Sequence, residues 1–376
     1  MRTFRCDCGN YLYFENIQCL ACGRMAGYLP DERKLSTLEP LAENAWMAVS
    51  NCQPYRLCKN SLDYNVCNWM IPERDQHALC ASCRLNHLIP NLTEAQNVTL
   101  WYRVEQAKRR LLYTLFDLNL PVIGREQDPE SGLCFEFLQD VNVSGEFNNA
   151  VTAGQNVVTG HFSGKITINL READHSARIE MRDKMNERYR TLLGHFRHES
   201  GHYYWGRLIG GTNRIGGFHE LFGDEQKDYQ LALSDYYTYG PPPFWQEKWI
   251  SAYASAHPWE DWAETWAHYL HMVDTVETAY DLGFRTQGSD ITLPQAGIQM
   301  DEDYRTPAVF DTLFDDWCRL SAALNALNRS MGLDDAYPFV ISGIVLNKLR
   351  FIHQVVTEAN PRSSPPVTPS QNAAIG

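Results

Sequence analysis

The chain has 376 residues, of which 44% are hydrophobic and 12% aromatic, so it can bury more than one packed core. Its formal net charge of −13 at pH 7 argues against nucleic acid as a partner, because binding along a phosphate backbone needs a basic surface. The sequence contains neither the ~20 consecutive apolar residues that cross a bilayer nor the apolar run of a signal peptide at its start. We therefore expect a soluble, cytoplasmic protein with no membrane partner.

The beginning of the chain is rich in cysteine. In a reducing compartment, closely spaced cysteines favour metal binding over disulfides. Eight of them form two sets of four, namely Cys6, Cys8, Cys19 and Cys22, and then Cys58, Cys67, Cys80 and Cys83. Four thiolates complete a tetrahedral zinc site and leave no open position, so each set is predicted to hold a structural zinc ion. Cys52 is an alternative to Cys58. We expect residues 1–90 to form a cysteine-rich zinc-ribbon region.

From residue 91 the pattern changes to that of a mixed, mostly helical domain, which we expect to extend to residue 360. Apolar residues at helical spacing predict a helix over 94–118, whereas 133–139 and 165–170 (KITINL) have the character of strands. Further helices are predicted over 178–207 (one long helix or two abutting ones), 244–256, 259–277, 311–328 and 340–358. Residues 361–376 are rich in proline and serine and are predicted to be a disordered tail.

The helix predicted over 178–207 contains an HExxH motif, His198-Glu199-Ser200-Gly201-His202. Positions i and i+4 lie on one face of a helix, so the two histidines can bind one Zn²⁺. Zinc lowers the pKa of a water molecule that it holds, and Glu199 can act as the general base that removes the water's proton. The KITINL strand shortly before the motif is of the kind that binds a substrate backbone at a sheet edge.

A catalytic zinc site needs a third protein ligand. No histidine follows at the spacing of the metzincins, because His219 lies too far beyond His202. Glu260 and Glu264 are four residues apart on a predicted helix, so both carboxylates face the same way and either can be the ligand. Asp261 points to a different face. Three further histidines lie near these motifs without a spacing that requires them as ligands: His195, His268 and His271.

This arrangement resembles the gluzincin peptidases, in which a downstream helix supplies a glutamate ligand. It is particularly similar to the lethal-factor-type pattern, in which an ExxAE segment serves the zinc site and a tyrosine seven residues before the ligand faces it. The resemblance implies Glu260 as the third ligand and Glu264 as the outer partner that orients a ligating histidine. It implies Tyr253 as a donor to the tetrahedral oxyanion. The reverse assignment, with Glu264 as the ligand, stays open, as does a packing role for Tyr253.

Most of residues 1–355 resemble a bacterial family of zinc-binding metallopeptidases with an N-terminal zinc-ribbon domain. The resemblance rests on the segments CNWMIP with LCASCRLN, FRHESGHYYW, FGDEQKDYQLAL and PWEDWAETWAHYLHMVDTVETA. It implies an α+β, mostly helical, zincin-like (gluzincin) domain over 91–360 that follows the zinc-ribbon region.

The leading hypothesis is a zinc-dependent peptidase with one catalytic and two structural zinc ions. It would hydrolyse peptide bonds in a peptide or protein substrate by a zinc-activated water, with Glu199 as general base. The ribbons can in addition bind a protein partner. The alternative is a non-enzymatic protein- or nucleic-acid-binding module on a zincin scaffold, against which the intact Glu199 argues. A third hypothesis, a protease that the ribbons direct to nucleic acid, predicts salt-sensitive binding that requires residues 1–90.

Overall fold

The computed structural model describes residues 1–140, 159–175, 177–178, 191–284 and 309–359. None of the helices in these ranges is long and apolar enough to span a membrane. The tail predicted over 361–376 lies outside these ranges, and so do residues 179–190 of the helix predicted over 178–207.

The first 90 residues form a small β-structure around the two sets of cysteines. A short hairpin consists of β1 (Phe4–Arg5) and β2 (Tyr11–Leu12). An antiparallel sheet follows, with strands β3 (Met25–Leu29), β4 (Lys34–Ala42), β5 (Ala45–Ala48), β6 (Gln53–Leu57) and β7 (Met70–Pro72) in that order. The short helix α1 (Lys59–Tyr64) connects β6 to β7. This sheet is not predicted from the sequence, because buried and exposed residues do not alternate in strands such as β3.

A second sheet lies beside the helices that carry the HExxH motif. Its strands are β8 (Asn86–Leu88), β9 (Cys134–Leu138), β10 (Gly160–Phe162) and β11 (Lys165–Asn169), in the spatial order β10-β11-β9-β8. The strands predicted over 133–139 and 165–170 are thereby confirmed as β9 and β11. The expectation that KITINL is an edge strand is wrong, because β11 pairs with β9 on one side and with β10 on the other. Among the described strands, the edge strand next to the motif is β10.

The long helix α2 (Ala95–Asp117) confirms the prediction over 94–118 and packs across this sheet. Its buried Lys108 lies over the rings of Phe135 and Phe137, which point up from β9. The helices that follow in the described part of the chain are α3 (Leu192–Leu208), α4 (Ile215–Phe222), α5 (Tyr229–Tyr239), α6 (Pro258–Asp281), α7 (Phe310–Ser330) and α8 (Gly343–Glu358). The helices predicted over 259–277, 311–328 and 340–358 correspond to α6, α7 and α8.

The helix predicted over 244–256 is wrong. This segment contains two short 3-10 turns, Trp245–Glu247 and Tyr253–Ser255, instead of a helix. Phe244 has a left-handed backbone with a φ of 57°, and the hydroxyl of Ser251 accepts a hydrogen bond from the backbone N–H of Ala254. A side chain that takes over a backbone donor in this way competes with helix formation.

Among the described helices, the most extensive packing joins α3 to α6. A Cβ atom added to Gly201 of α3 would lie 2.9 Å from the Cα of Ala263 in α6, so only glycine fits at this crossing. The indole N–H of Trp262 donates to the carbonyl of Gly201 over 2.9 Å, and that of Trp266 donates to the hydroxyl of Ser200 over 3.1 Å. The crossing therefore fixes the face of α3 that bears the two motif histidines.

Candidate active site

The two histidines of the HExxH motif lie side by side on α3. Thr191 caps the start of this helix, because its hydroxyl accepts a hydrogen bond from the backbone N–H of Gly194. His198 and His202 are both buried, and their Nε2 atoms are 3.2 Å apart. The spacing of one helical turn thus directs both imidazoles toward one point.

Glu260, in the first turn of α6, brings a carboxylate to the same point. Its Oε2 lies 3.0 Å from Nε2 of His198, and its Oε1 lies 3.5 Å from Nε2 of His202. The side chain is buried. Ligand atoms from all three residues lie within 4.8 Å of one another.

These three residues fit a zinc ion. Two ligand atoms that are each ~2.0–2.1 Å from one tetrahedral Zn²⁺ lie about 3.3–3.4 Å apart, close to the separation of the two Nε2 atoms. Burial lowers the pKa of His198, but the carboxylates of Glu260 and Glu264 outweigh burial and raise it well above its usual value. Burial likewise raises the pKa of Glu260, and the two histidines bring it well below its usual range. The site therefore favours a positive charge at the point where the three side chains meet.

Glu264 lies one helical turn further along α6 and contacts the other side of His198. Its Oε1 accepts a hydrogen bond from Nδ1 of His198 over 2.6 Å, and its Oε2 accepts one from the hydroxyl of Ser251 over 2.6 Å. Glu264 is thus in a position to orient the imidazole, whereas Glu260 faces Nε2. Asp261 points away and pairs with Lys348 at 2.5 Å, and burial outweighs this attraction and raises its pKa to about 7.

Tyr253 lies beside the same cluster, in the turn that precedes α6. Its ring centroid is 6.0 Å from that of His198. Burial and the neighbouring carboxylate of Glu260 raise the pKa of Tyr253 well above its usual value. The hydroxyl therefore keeps its proton at neutral pH and can act as a hydrogen-bond donor.

Three further residues surround the cluster and were not identified from the sequence. The hydroxyl of Tyr229, at the start of α5, donates to Oε1 of Glu260 over 2.6 Å. The ring of Trp259 lies 4.5 Å from that of His202, centroid to centroid, and the ring of His161 in β10 lies 6.2 Å from it. Tyr229 falls within the conspicuous segment FGDEQKDYQLAL, but no spacing rule connects that segment to the motif.

Glu199 has two carboxylate oxygens in different surroundings. Its Oε1 lies 3.3 Å from Nε2 of His195, and its Oε2 is buried without a hydrogen-bond partner among the described residues. Burial raises the pKa of Glu199, but His195 and His198 outweigh it and bring the pKa below its usual value.

Of the other nearby histidines, His268 contacts the hydroxyl of Tyr337 over 2.7 Å in the core. His271 is half-buried. Its ring centroid is 5.2 Å from that of Trp317 in α7, so it packs between helices and does not join the His198 cluster.

The structure brings each set of four cysteines together. The Sγ atoms of Cys6 and Cys22 are 3.5 Å apart, those of Cys8 and Cys19 3.6 Å, and those of Cys67 and Cys80 3.6 Å. A disulfide requires a separation of ~2.05 Å, whereas thiolates that share a tetrahedral zinc at ~2.3 Å lie about 3.8 Å apart. The residues Cys58 and Cys83 complete the second group, and Cys52 belongs to neither. Both sets have the donor atoms and the spacing that zinc requires.

Comparison with known proteins agrees with this geometry. Residues 97–355 match the family described as "Putative zinc-binding metallo-peptidase", and residues 3–94 match a zinc-ribbon domain. Uncharacterized proteins of Mycobacterium bovis and of two strains of Mycobacterium tuberculosis are each 42% identical over 367 residues, which cover 97% of this chain and 98% of theirs. No solved structure matches the chain significantly. The chain therefore belongs to the bacterial family of zinc-binding metallopeptidases with an N-terminal zinc-ribbon domain.

Proposed function

We propose that the chain is a zinc-dependent peptidase of the zincin type, with a gluzincin-like site in which His198, His202 and Glu260 hold the catalytic zinc. The observation that carries this proposal is the convergence of His198 Nε2, His202 Nε2 and Glu260 Oε2 on one buried point. The burial of the Glu260 carboxylate supports it, because a buried charge is costly unless a cation compensates it.

The surrounding side chains support hydrolysis of a peptide bond. Zinc, when bound, supplies a Lewis acid that makes a water molecule more acidic and polarises a substrate carbonyl. The Oε2 atom of Glu199 accepts the proton of the attacking water and delivers it to the leaving amine. The hydroxyl of Tyr253 donates to the oxygen that becomes negative in the transition state. Glu264 holds the imidazole of His198 through Nδ1.

The edge strand β10 is the best candidate for binding the substrate backbone. Within the described ranges, β10 pairs on one side only, and it packs against α3. An extended peptide can add to the free edge of such a strand through main-chain hydrogen bonds. His161, in the middle of β10, is neutral because burial lowers its pKa to about 4, and its ring faces His202. A peptide along β10 would thus pass the catalytic cluster.

We propose structural roles for the two cysteine sets of the zinc-ribbon region. Each set offers four thiolates, which leave no coordination position for water or substrate. The cytoplasm, where thiols stay reduced, is the compartment that suits such sites.

The general base provides the direct test of this proposal. Glu199→Gln keeps the shape of the side chain but removes its basicity, so turnover of an unfolded protein such as casein should fall about 100-fold or more. Zinc content should stay unchanged, because Glu199 is not among the proposed ligands. Glu220→Gln, the same change at an exposed position, is the control and should keep full activity. Retained turnover in Glu199→Gln would contradict the proposal.

A further inference from the structure

The side chains of Glu172, His195 and the proposed general base Glu199 lie next to one another in a row. Glu172 belongs to the 3-10 turn Leu170–Ala173 directly after β11, and His195 belongs to the first turn of α3. The imidazole of His195 lies between the carboxylates of Glu172 and Glu199. Glu172 and Glu199 are both buried, and the side chain of His195 is only 13% exposed.

The distances define the hydrogen bonds of this row. Nδ1 of His195 is 2.5 Å from Oε2 of Glu172, and Nε2 is 3.3 Å from Oε1 of Glu199. Each ring nitrogen of His195 therefore faces one carboxylate, and Nδ1 makes a hydrogen bond with Glu172.

The far end of the row is itself anchored. Oε1 of Glu172 accepts a hydrogen bond from the hydroxyl of Thr159, and that hydroxyl accepts one from the backbone N–H of Asn169 at the end of β11. Glu172 is therefore tied to the sheet whose edge strand we propose for the substrate. This anchoring fixes the plane of the His195 ring and, with it, the direction of Nε2.

The contact with His195 distinguishes the two carboxylate oxygens of Glu199. Oε1 faces His195, whereas Oε2 is buried and has no hydrogen-bond partner in the described part of the chain. A general base acts best when its reactive atom is held at one place and its other atom is occupied.

We propose that His195 is a positioning residue for Glu199, holding Oε1 so that Oε2 alone faces the reacting water, and that Glu172 fixes His195 in that orientation. This inference rests on the proposed function, because it assigns a role relative to the general base. It adds two residues to the site that neither the motif nor the downstream helix contains.

The test uses binding of a probe to the zinc-loaded full chain, in addition to turnover. N-acetyl-phenylalanine hydroxamate gives up its N–O–H proton when it chelates a metal, and a neighbouring carboxylate that accepts the proton strengthens binding. Its Kd should rise about 10–100-fold in His195→Phe, as it does when other partners of metal-site groups are removed. His195→Gln keeps a donor at the position of Nε2 and should stay within about 3-fold of wild type. The Kd of Glu172→Gln should lie between those of His195→Phe and His195→Gln.

Controls separate positioning from folding. His87→Phe makes the same change at an exposed histidine that also pairs with a carboxylate, Glu136 at 2.7 Å, and should leave the Kd unchanged. Zinc content should remain that of wild type in every variant. In a Glu199→Gln background, His195→Phe should have no further effect, because residues that act through one another are not additive.

The possible results are distinguishable. Wild-type affinity in His195→Phe, together with weakened binding in Glu199→Gln, would overturn this inference and leave the proposed function intact. Loss of zinc in His195→Phe would also overturn it, since His195 would then act on the metal site itself. If Glu199→Gln changed neither probe binding nor turnover, the proposed function would fail, and the role of His195 with it.

Discussion

At the scale of single residues, Glu260 depends on a partner from another helix. Its Oε2 faces His198, and its Oε1, which lies 3.5 Å from Nε2 of His202, accepts the hydrogen bond from the hydroxyl of Tyr229. Burial and the charge of Glu260 raise the pKa of Tyr229 well above its usual value, so the hydroxyl remains a donor. Because outer partners fix the orientation of metal ligands, Tyr229 should contribute to zinc affinity without contacting the metal.

Removing the hydroxyl tests this role. Tyr229→Phe should weaken binding of the catalytic zinc by about 10–100-fold, measured by competition with a chelator of known affinity. Tyr239→Phe is the matched control, because this tyrosine lies on the same helix and is 81% exposed. Equal affinity in the two variants would show that Tyr229 does not support Glu260.

The residues of the site could be predicted from the sequence only in part. The one-turn spacing of His198 and His202 is a local rule, and the structure brings their Nε2 atoms together as that rule requires. Glu260 and Glu264 share a helix face, so spacing alone left their roles open, and the assignment came from the resemblance. In the structure the two carboxylates contact different ring nitrogens of His198: Glu260 faces Nε2, and Glu264 faces Nδ1. Tyr229 and Glu172 reach the site through tertiary packing, for which no local pattern exists.

At the scale of elements, the site depends on how closely α3 and α6 approach each other. The motif residue Gly201 has no room for a side chain, because a Cβ would also lie 3.2 Å from the Cβ of Trp266. The two helices supply all three proposed ligands, so any change in their separation moves the histidines relative to Glu260.

Adding one methyl group tests this packing. Gly201→Ala should lower the free energy of unfolding by about 1–3 kcal/mol, because the helices must separate to accommodate the Cβ. Gly206→Ala is the control on the same helix: a Cβ there meets nothing within 4 Å, and alanine favours the helix by up to ~1 kcal/mol. Chemical denaturation of both zinc-loaded variants gives the two values. Similar stability in the two variants would contradict the packing argument.

Helices with a long, regular spacing of apolar residues could be predicted from the sequence. Features that depend on pairing with distant segments could not. The helices α2, α6, α7 and α8 each bury a continuous face, and periodicity identifies them. The edge position of β10 follows from pairing between distant segments, so the sequence-based hypothesis assigned the edge to KITINL instead. The segment predicted as a helix over 244–256 adopts turns because Ser251 bonds to the backbone and to Glu264.

At the scale of the whole molecule, the zinc-ribbon region and the helical part share one core. The ring of Phe14 lies 5.4 Å from that of Tyr113 in α2, centroid to centroid, and the ring of Trp69 lies 5.9 Å from that of Phe116. Arg109 of α2 is buried and donates to the carbonyl of Val66, next to the second cysteine set. The second set is buried throughout, whereas Cys8 and Cys22 of the first are exposed. We therefore expect the first set to exchange zinc faster.

The most direct test of the account is the number of zinc ions per chain in the wild type and in three variants. The two cysteine sets and the His198 cluster predict three zinc ions in the wild type and two in His198→Ala and in Glu260→Ala. Glu264→Ala should keep the third ion when zinc is in excess, with an affinity lower by about 10–100-fold. Two zinc ions in the wild type, unchanged by His198→Ala, would contradict the claim that His198, His202 and Glu260 form a metal site.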